Sequence, residues 1–172
     1  MKKFELTSEF ITNIFGTKLF RIKALIEFGD VKAGDLGGYI EKEENLDHDG
    51  NAWVYGDAQV CGDAWVSGDA QVCGDARVYG DAWVSGDAQV CGDARVYGDA
   101  DYAYAHGFGS EYRTTTFFRL KDGGVGVRCG CFYGTLQEFR DKVRKTHKET
   151  KKAREYLMLA DLMELRFEED KK

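Results

Sequence analysis

From Asn51 to Gly98 one six-residue pattern of polar and apolar positions recurs eight times: Asp-Ala-x-Val-x-Gly, with Asn51 in place of the first Asp. A fixed period outranks local propensity, so the fold is read from it. Ala and Val are two apart in each unit. In an extended chain they share one face, and the two variable positions share the other. Gly followed by Asp interrupts the strand, because Gly tolerates positive φ and Asp tolerates the left-handed region better than most residues. If Gly-Asp were a two-residue hairpin loop, the apolar positions would change sides from strand to strand and no common core would form. If it turns a corner of a solenoid, every Ala and Val points inward. The pattern favours the solenoid.

Three equal short sides imply a triangular coil of eighteen residues, and the variable positions agree. At that offset Trp65 meets Trp83, Ser67 meets Ser85, Gln71 meets Gln89, Cys73 meets Cys91, Arg77 meets Arg95 and Tyr79 meets Tyr97. On these residues the chain resembles the hexapeptide-repeat, left-handed β-helix family. The left-handedness is what the resemblance implies. The expected fold is mainly β: a short triangular left-handed β-helix of about three 18-residue coils plus an imperfect leading coil, with a small α+β C-terminal cap.

The flanking patterns give a three-part organisation: an N-terminal β-hairpin cap over 1–38, the β-helix over 39–106, and a C-terminal hairpin plus two helices over 107–172. Two apolar runs flank Gly16-Thr17, a turn signal. Ile40 and Leu46 are six apart, whereas Leu46 and Val54 are eight apart, so a two-residue bulge is expected near His48-Asp49. A leading cap is expected because a solenoid end exposes both apolar interior and unpaired strand edge. The repeat fades over residues 99–110, read as a last rung followed by an exit loop at Gly107–Ser110. TTTFFRL and GVGVRCGCFY flank Lys121-Asp122-Gly123-Gly124, a second hairpin. Thr135 and Glu138 form a capping box for a helix through about Lys145 with Leu136, Phe139 and Val143 on its apolar face. A second helix over roughly 150–166 is expected to bury Ala153, Tyr156, Leu157, Ala160 and Met163. The tail FEEDKK is expected to fray.

Charge changes the picture. The 172 residues carry a net charge of −6, but residues 51–100 hold 8 acidic and 2 basic groups whereas 113–154 hold 4 and 12. No apolar run approaches the roughly 18–20 residues of a membrane span, and MKKFELTSEF lacks the apolar stretch of a signal peptide. The expectation is a cytoplasmic protein with no membrane partner. Of five cysteines, Cys73 and Cys91 fall on neighbouring rungs about 4.8 Å apart. They are close enough for a disulfide, but reduced thiols are the expected state in a cytosolic chain. Cys129 and Cys131 have no partner cluster, so no zinc site is expected.

The enzymatic reading is an acyltransferase using acetyl-CoA, since the family's best-known members are acyltransferases whose chemistry needs a general base, typically a His on a coil. No variable position of the repeat is His, which leaves His106, in the expected exit loop, as the one candidate base. No catalytic residue is assigned. The corner Asp ladders suit calcium in ligand type. They are read instead as satisfying corner amides, because no second carboxylate sits in each corner, so no metal or other cofactor is expected.

The outward ladders say more. One side carries Gln59, Arg77 and Arg95 beside Cys61, Tyr79 and Tyr97; another carries Trp65 and Trp83 beside Ser67 and Ser85. Stacked tryptophans make an apolar stripe that is covered by the chain's own caps, by another copy, or by a ligand. Arg with Tyr suits planar anions by charge and stacking. In the basic segment Arg119 and Arg128 lie on the two hairpin strands beside Phe118 and Tyr133. Overall acidity argues against long nucleic acid, whose binders present a net positive face.

The lead-in FGDVKAGDLGGYIEKEENL and the later RCGCFYGTLQEF resemble a further group in the hexapeptide class, small phage- or prophage-borne proteins. That resemblance implies a bacterial host cytoplasm and, from the wider family, a trimer. Phages use compact oligomeric proteins to sequester nucleotide immune signals, and this chain is similar in general plan. The expected function is a non-enzymatic homo-oligomer holding a small phosphorylated ligand. Arg119 and Arg128 would meet phosphates, Tyr133 or Phe118 would stack on a base, and Arg77, Arg95, Tyr79 and Tyr97 would complete the binding surface. Trp65 and Trp83 would form the subunit contact. A purely structural oligomeric scaffold is the non-catalytic rival.

Overall fold

The computed structural model describes residues 1–169. Asp170, Lys171 and Lys172, part of the tail expected to fray, lie outside the described residues. Within that tail Phe167 is no frayed residue: it ends a helix and is buried against its core.

The repeat folds as eight two-residue strands: β4 (Trp53–Val54), β5 (Gln59–Val60), β6 (Trp65–Val66), β7 (Gln71–Val72), β8 (Arg77–Val78), β9 (Trp83–Val84), β10 (Gln89–Val90) and β11 (Arg95–Val96). They are numbered after β1 (Phe4–Thr12), β2 (Lys18–Ala24) and β3 (Leu36–Ile40) of the N-terminal region. Every third strand pairs in parallel: β4-β7-β10, β5-β8-β11 and β6-β9 form three separate ladders. The register is the eighteen-residue one, with Arg77 against Arg95, Trp65 against Trp83 and Gln71 against Gln89. Ala and Val of all eight units are inside, at most 1 % exposed. That uniform burial excludes the meander. The corners need glycine: Gly74 has φ +67°, and a Cβ there would stand 2.9 Å from the backbone nitrogen of Gly92 one rung above.

The leading coil is present. Tyr39 and Ile40 of β3 pair with Gln59 and Val60, Leu46 bridges to Val66, and the offset changes from twenty to eighteen before Trp53. The two extra residues therefore fall in the His48-Asp49 region, which the N-terminal strand clasps. The Lys3 amide donates to His48 Nδ1, and the rings of Phe4 and His48 stack at 4.3 Å. Lys3 itself is buried, with Nζ donating to the carbonyls of Asp49, Gly50 and Ala52. Asn45 locks the same end, donating from Nδ2 to Gly62 and Ala64 carbonyls.

β1 and β2 form the antiparallel hairpin expected around Gly16-Thr17, and they extend the β3-β5-β8-β11 sheet. The hairpin also packs on the outward face of that side. Leu19 and Ile11 cover Tyr39, Cys61 and Tyr79, and Asn13 Nδ2 lies 3.7 Å from Cys61 Sγ.

At the other end the expected last rung is replaced. A 3-10 turn at Asp99–Asp101 leads into β12 (Tyr102–Phe108), which pairs antiparallel with β13 (Arg113–Arg119). Tyr102 caps the solenoid, its hydroxyl donating to the Trp83 carbonyl. β14 (Val125–Cys129) and β15 (Phe132–Thr135) complete a four-stranded sheet, with Cys129 ending one strand and Phe132 opening the next. α1 (Leu136–His147) starts at the capping box: Thr135 Oγ1 accepts from the Glu138 amide, and Glu138 Oε2 from the Thr135 amide. With α2 (Lys151–Phe167) it packs on one face of the sheet around Phe117, Val127, Phe139, Tyr156 and Met163. The other face plugs the solenoid, where Phe118 joins the Ala/Val core. No helix among the described residues is long and apolar enough to cross a membrane.

Candidate ligand-binding site

A cleft of about 400 Å³ opens where the last rungs of the β5-β8-β11 ladder meet the β13–β14 turn. Its lining includes Arg77, Arg95, Tyr97, Asp101, Arg119 and Lys121. The repeat supplies the first three, since one unit in each of the last two coils carries Arg and Tyr at its variable positions on the same side. The C-terminal cap supplies the opposite wall.

Each arginine is held differently. Arg95 is 8 % exposed, and its Nη1 donates to the carbonyls of Asp75 and Ala94, both at 2.9 Å. Arg119 Nη1 donates to the carbonyls of Gly123 and Phe167, and its guanidinium lies 5.2 Å from the Phe167 ring centre. Asp101 fixes the junction: Oδ2 accepts from the Tyr97 amide and Oδ1 stands 3.9 Å from Arg119 Nε. Among the described residues no carboxylate forms an ion pair with Arg77, Arg95 or Lys121. Tyr97 is half-exposed and stacks on Tyr79 at 5.7 Å, while Tyr79 is buried under the N-terminal hairpin. Burial pushes the Tyr79 hydroxyl up to about 12, and the Cys61 thiol in the same cluster up to about 11. Both stay neutral and structural at ordinary pH. Charge, fixed N–H donors and an aromatic face are the groups by which proteins in general recognise planar anions.

Of the residues expected in the site, the structure gathers Arg77, Arg95, Tyr97 and Arg119, with Tyr79 as the layer beneath. It does not gather the rest. Arg119 and Arg128 project from opposite faces of the sheet, because Arg128 pairs with Thr116, three positions from Arg119. Arg128 Nε instead donates to Gln89 Oε1 on another side of the prism. Phe118 is fully buried in the plug, so it offers no ring to a ligand. Tyr133 stacks against it and borders a separate cavity with Asp93, Lys121 and Asp122. Lys121 and Asp101 were missed. Lys121 sat in a turn read only for its Gly-Gly chemistry, and Asp101 in a stretch read as a fading repeat.

Trp65 and Trp83 stack at 5.0 Å and remain 38 % and 50 % exposed, so the caps leave much of that stripe open. The cap instead hides Trp53, beneath Phe4 and Phe28. His106 is on β12 rather than in a loop, with Nδ1 2.9 Å from Thr114 Oγ1 and 3.8 Å from the Asp87 carboxylate. Cys73 and Cys91 are joined by a disulfide across neighbouring rungs, against the expectation of reduced thiols. Parallel in-register pairing makes that bond reachable without moving the backbone, their Cα atoms being 4.6 Å apart.

No curated protein matches the chain. A family model described as the YdcK beta solenoid repeat matches residues 70–86 and 88–100, the stretch that holds β7 to β11 and most of the Arg-Tyr wall. The match and the three parallel ladders agree: this chain is a β-solenoid repeat protein.

Proposed function

We propose that the protein is a non-enzymatic binding module that holds a small phosphorylated ligand in the cleft between solenoid and C-terminal cap. The observation that carries this reading is the cleft itself. Three arginines and a lysine converge there in a chain of net charge −6, beside a half-exposed tyrosine. Such a pocket within an acidic surface selects a small anion and repels a long polyanion. The setting proposed is a homo-oligomer of the hexapeptide class, a trimer joined through Trp65 and Trp83, of the small phage- or prophage-borne kind that sequesters nucleotide signals in a bacterial cytoplasm. Calorimetry against cyclic nucleotides and ADP-ribose-type compounds tests it. A tight binder recovered unchanged is the expected result, and no heat with any of them would end the proposal.

The exposed Trp65–Trp83 stack favours a second reading, an oligomeric scaffold with no ligand. In that case Trp83→Ala dissociates the assembly, and the calorimetric panel stays silent.

A further inference from the structure

We infer that the cleft is shaped for a nucleoside diphosphate, one planar base joined to a pyrophosphate. This rests on the proposal that the cleft is the ligand site, and it narrows the ligand to one class.

The first observation is the aromatic platform. One face of Tyr97 is taken by Tyr79, and the half of the residue left exposed borders the cleft. Among the described residues Tyr97 is the one aromatic side chain in the lining, so it provides a seat for a single base. A cyclic dinucleotide would leave its second base without one.

The second is the spacing of the cations. Arg77 and Arg95 are direct partners in a parallel ladder, so their Cα atoms are held about 4.8 Å apart. Guanidiniums rooted on neighbouring rungs, that of Arg95 leaning down to the Asp75 carbonyl of the lower one, suit two phosphoryl groups joined through one oxygen. Arg119 and Lys121 face them from the other wall. The carbonyl bonds of Arg95 and Arg119 leave part of each fork free while fixing its position.

The third is charge. Among the described residues four cations and one carboxylate line the cleft. A nucleoside diphosphate carries about three negative charges at neutral pH, which matches that balance. A monophosphate leaves part of the charge unmet, and a triphosphate exceeds it. The cleft volume of about 400 Å³ also lies within the ordinary range for small-ligand sites.

The test is calorimetry on the full chain with AMP, ADP, ATP, UDP, inorganic pyrophosphate, ADP-ribose and a cyclic dinucleotide. The diphosphates are expected to bind about tenfold or more tighter than AMP, and ATP no tighter than ADP. Arg77→Gln should cost about tenfold for ADP and much less for AMP. Tyr97→Leu should weaken ADP about tenfold and leave pyrophosphate unchanged, because only the stacking partner is lost. Both side chains are at outward positions of the repeat, and each variant is first required to give an unfolding curve matching that of the parent chain. If AMP equals ADP, or if ATP, ADP-ribose or the cyclic dinucleotide binds tightest, the diphosphate assignment is overturned and the broader ligand site stands. Equal loss of ADP and pyrophosphate in Tyr97→Leu overturns the stacking. Silence across the whole panel removes both.

Discussion

Replacing Phe118 with Ala tests whether the C-terminal sheet and the solenoid are one folding unit. Phe118 is fully buried, belongs to the same core as the solenoid's Ala and Val, and stacks on Tyr133 with ring centres 6.4 Å apart. Truncation removes the ring's transfer free energy and leaves a void at the mouth of the coil. A buried Phe→Ala change costs about 3–5 kcal/mol. The upper part of that range is expected, because the strand partner beneath the ring is Gly126, which has no side chain to fill the space. With a urea dependence of about 2 kcal/mol per molar, the midpoint should fall by roughly 2 M. The molecule supplies two separate probes. Trp53, Trp65 and Trp83 are all in the repeat, whereas both α-helices are in the cap. Tryptophan fluorescence and helical circular dichroism should therefore shift together. If the helical transition moved while the tryptophan transition stayed in place, the plug would be an appendage, and the shared core would be refuted as a unit of stability.

Cys73→Ser with Cys91→Ser opens a crosslink between residues eighteen apart, for which about 3 kcal/mol of stability should be lost. Thiol titration of the unfolded chain should find the three free cysteines without reductant and all five with it. Burial pushes Lys3 down to about 8, against the pull of Asp47, Asp49 and Asp69. The folded chain then holds that proton less tightly than the unfolded one. This group's contribution to stability should accordingly rise from about pH 8 towards about pH 10.4, and urea curves of Lys3→Met should lack the rise. Arg140→Met breaks pairs of 2.8 Å to Asp161 and Glu164 that tie α1 to α2. Because both carboxylates are largely exposed, a loss of about 1–2 kcal/mol is expected by chemical denaturation.

The ladders were legible because identity repeats at a fixed interval. Trp65 on Trp83 and Arg77 on Arg95 needed only the period and the corner glycine. The two-residue bulge was legible in the same way, from Leu46 to Val54. The cap was legible in its parts, including the Thr135 capping box, but not in its facing. Thr115, Thr116, Phe117 and Phe118 are all buried, since β13 lies between the solenoid end and the helices. A strand covered on both sides shows no alternation, so nothing marked Arg119 and Arg128 as opposed. The hairpin's cover over Cys61 and Tyr79 was hidden for a related reason: it joins residues more than forty apart with no shared motif. The disulfide failed as a weighing of compartments rather than of geometry, for the neighbouring rungs were already placed.

Residues 69–80 and 87–98 are identical in sequence and one coil apart in space. Adding or deleting one eighteen-residue module at this seam would therefore raise or lower the C-terminal cap by a single storey of about 4.8 Å. Arg and Tyr recur in every such module, so each storey rebuilds the same wall beneath the cap. Length can thus grow in discrete steps while the two uppermost Arg-Tyr rungs are kept, a route by which gene duplication lengthens the protein without redesigning the wall beneath its cap.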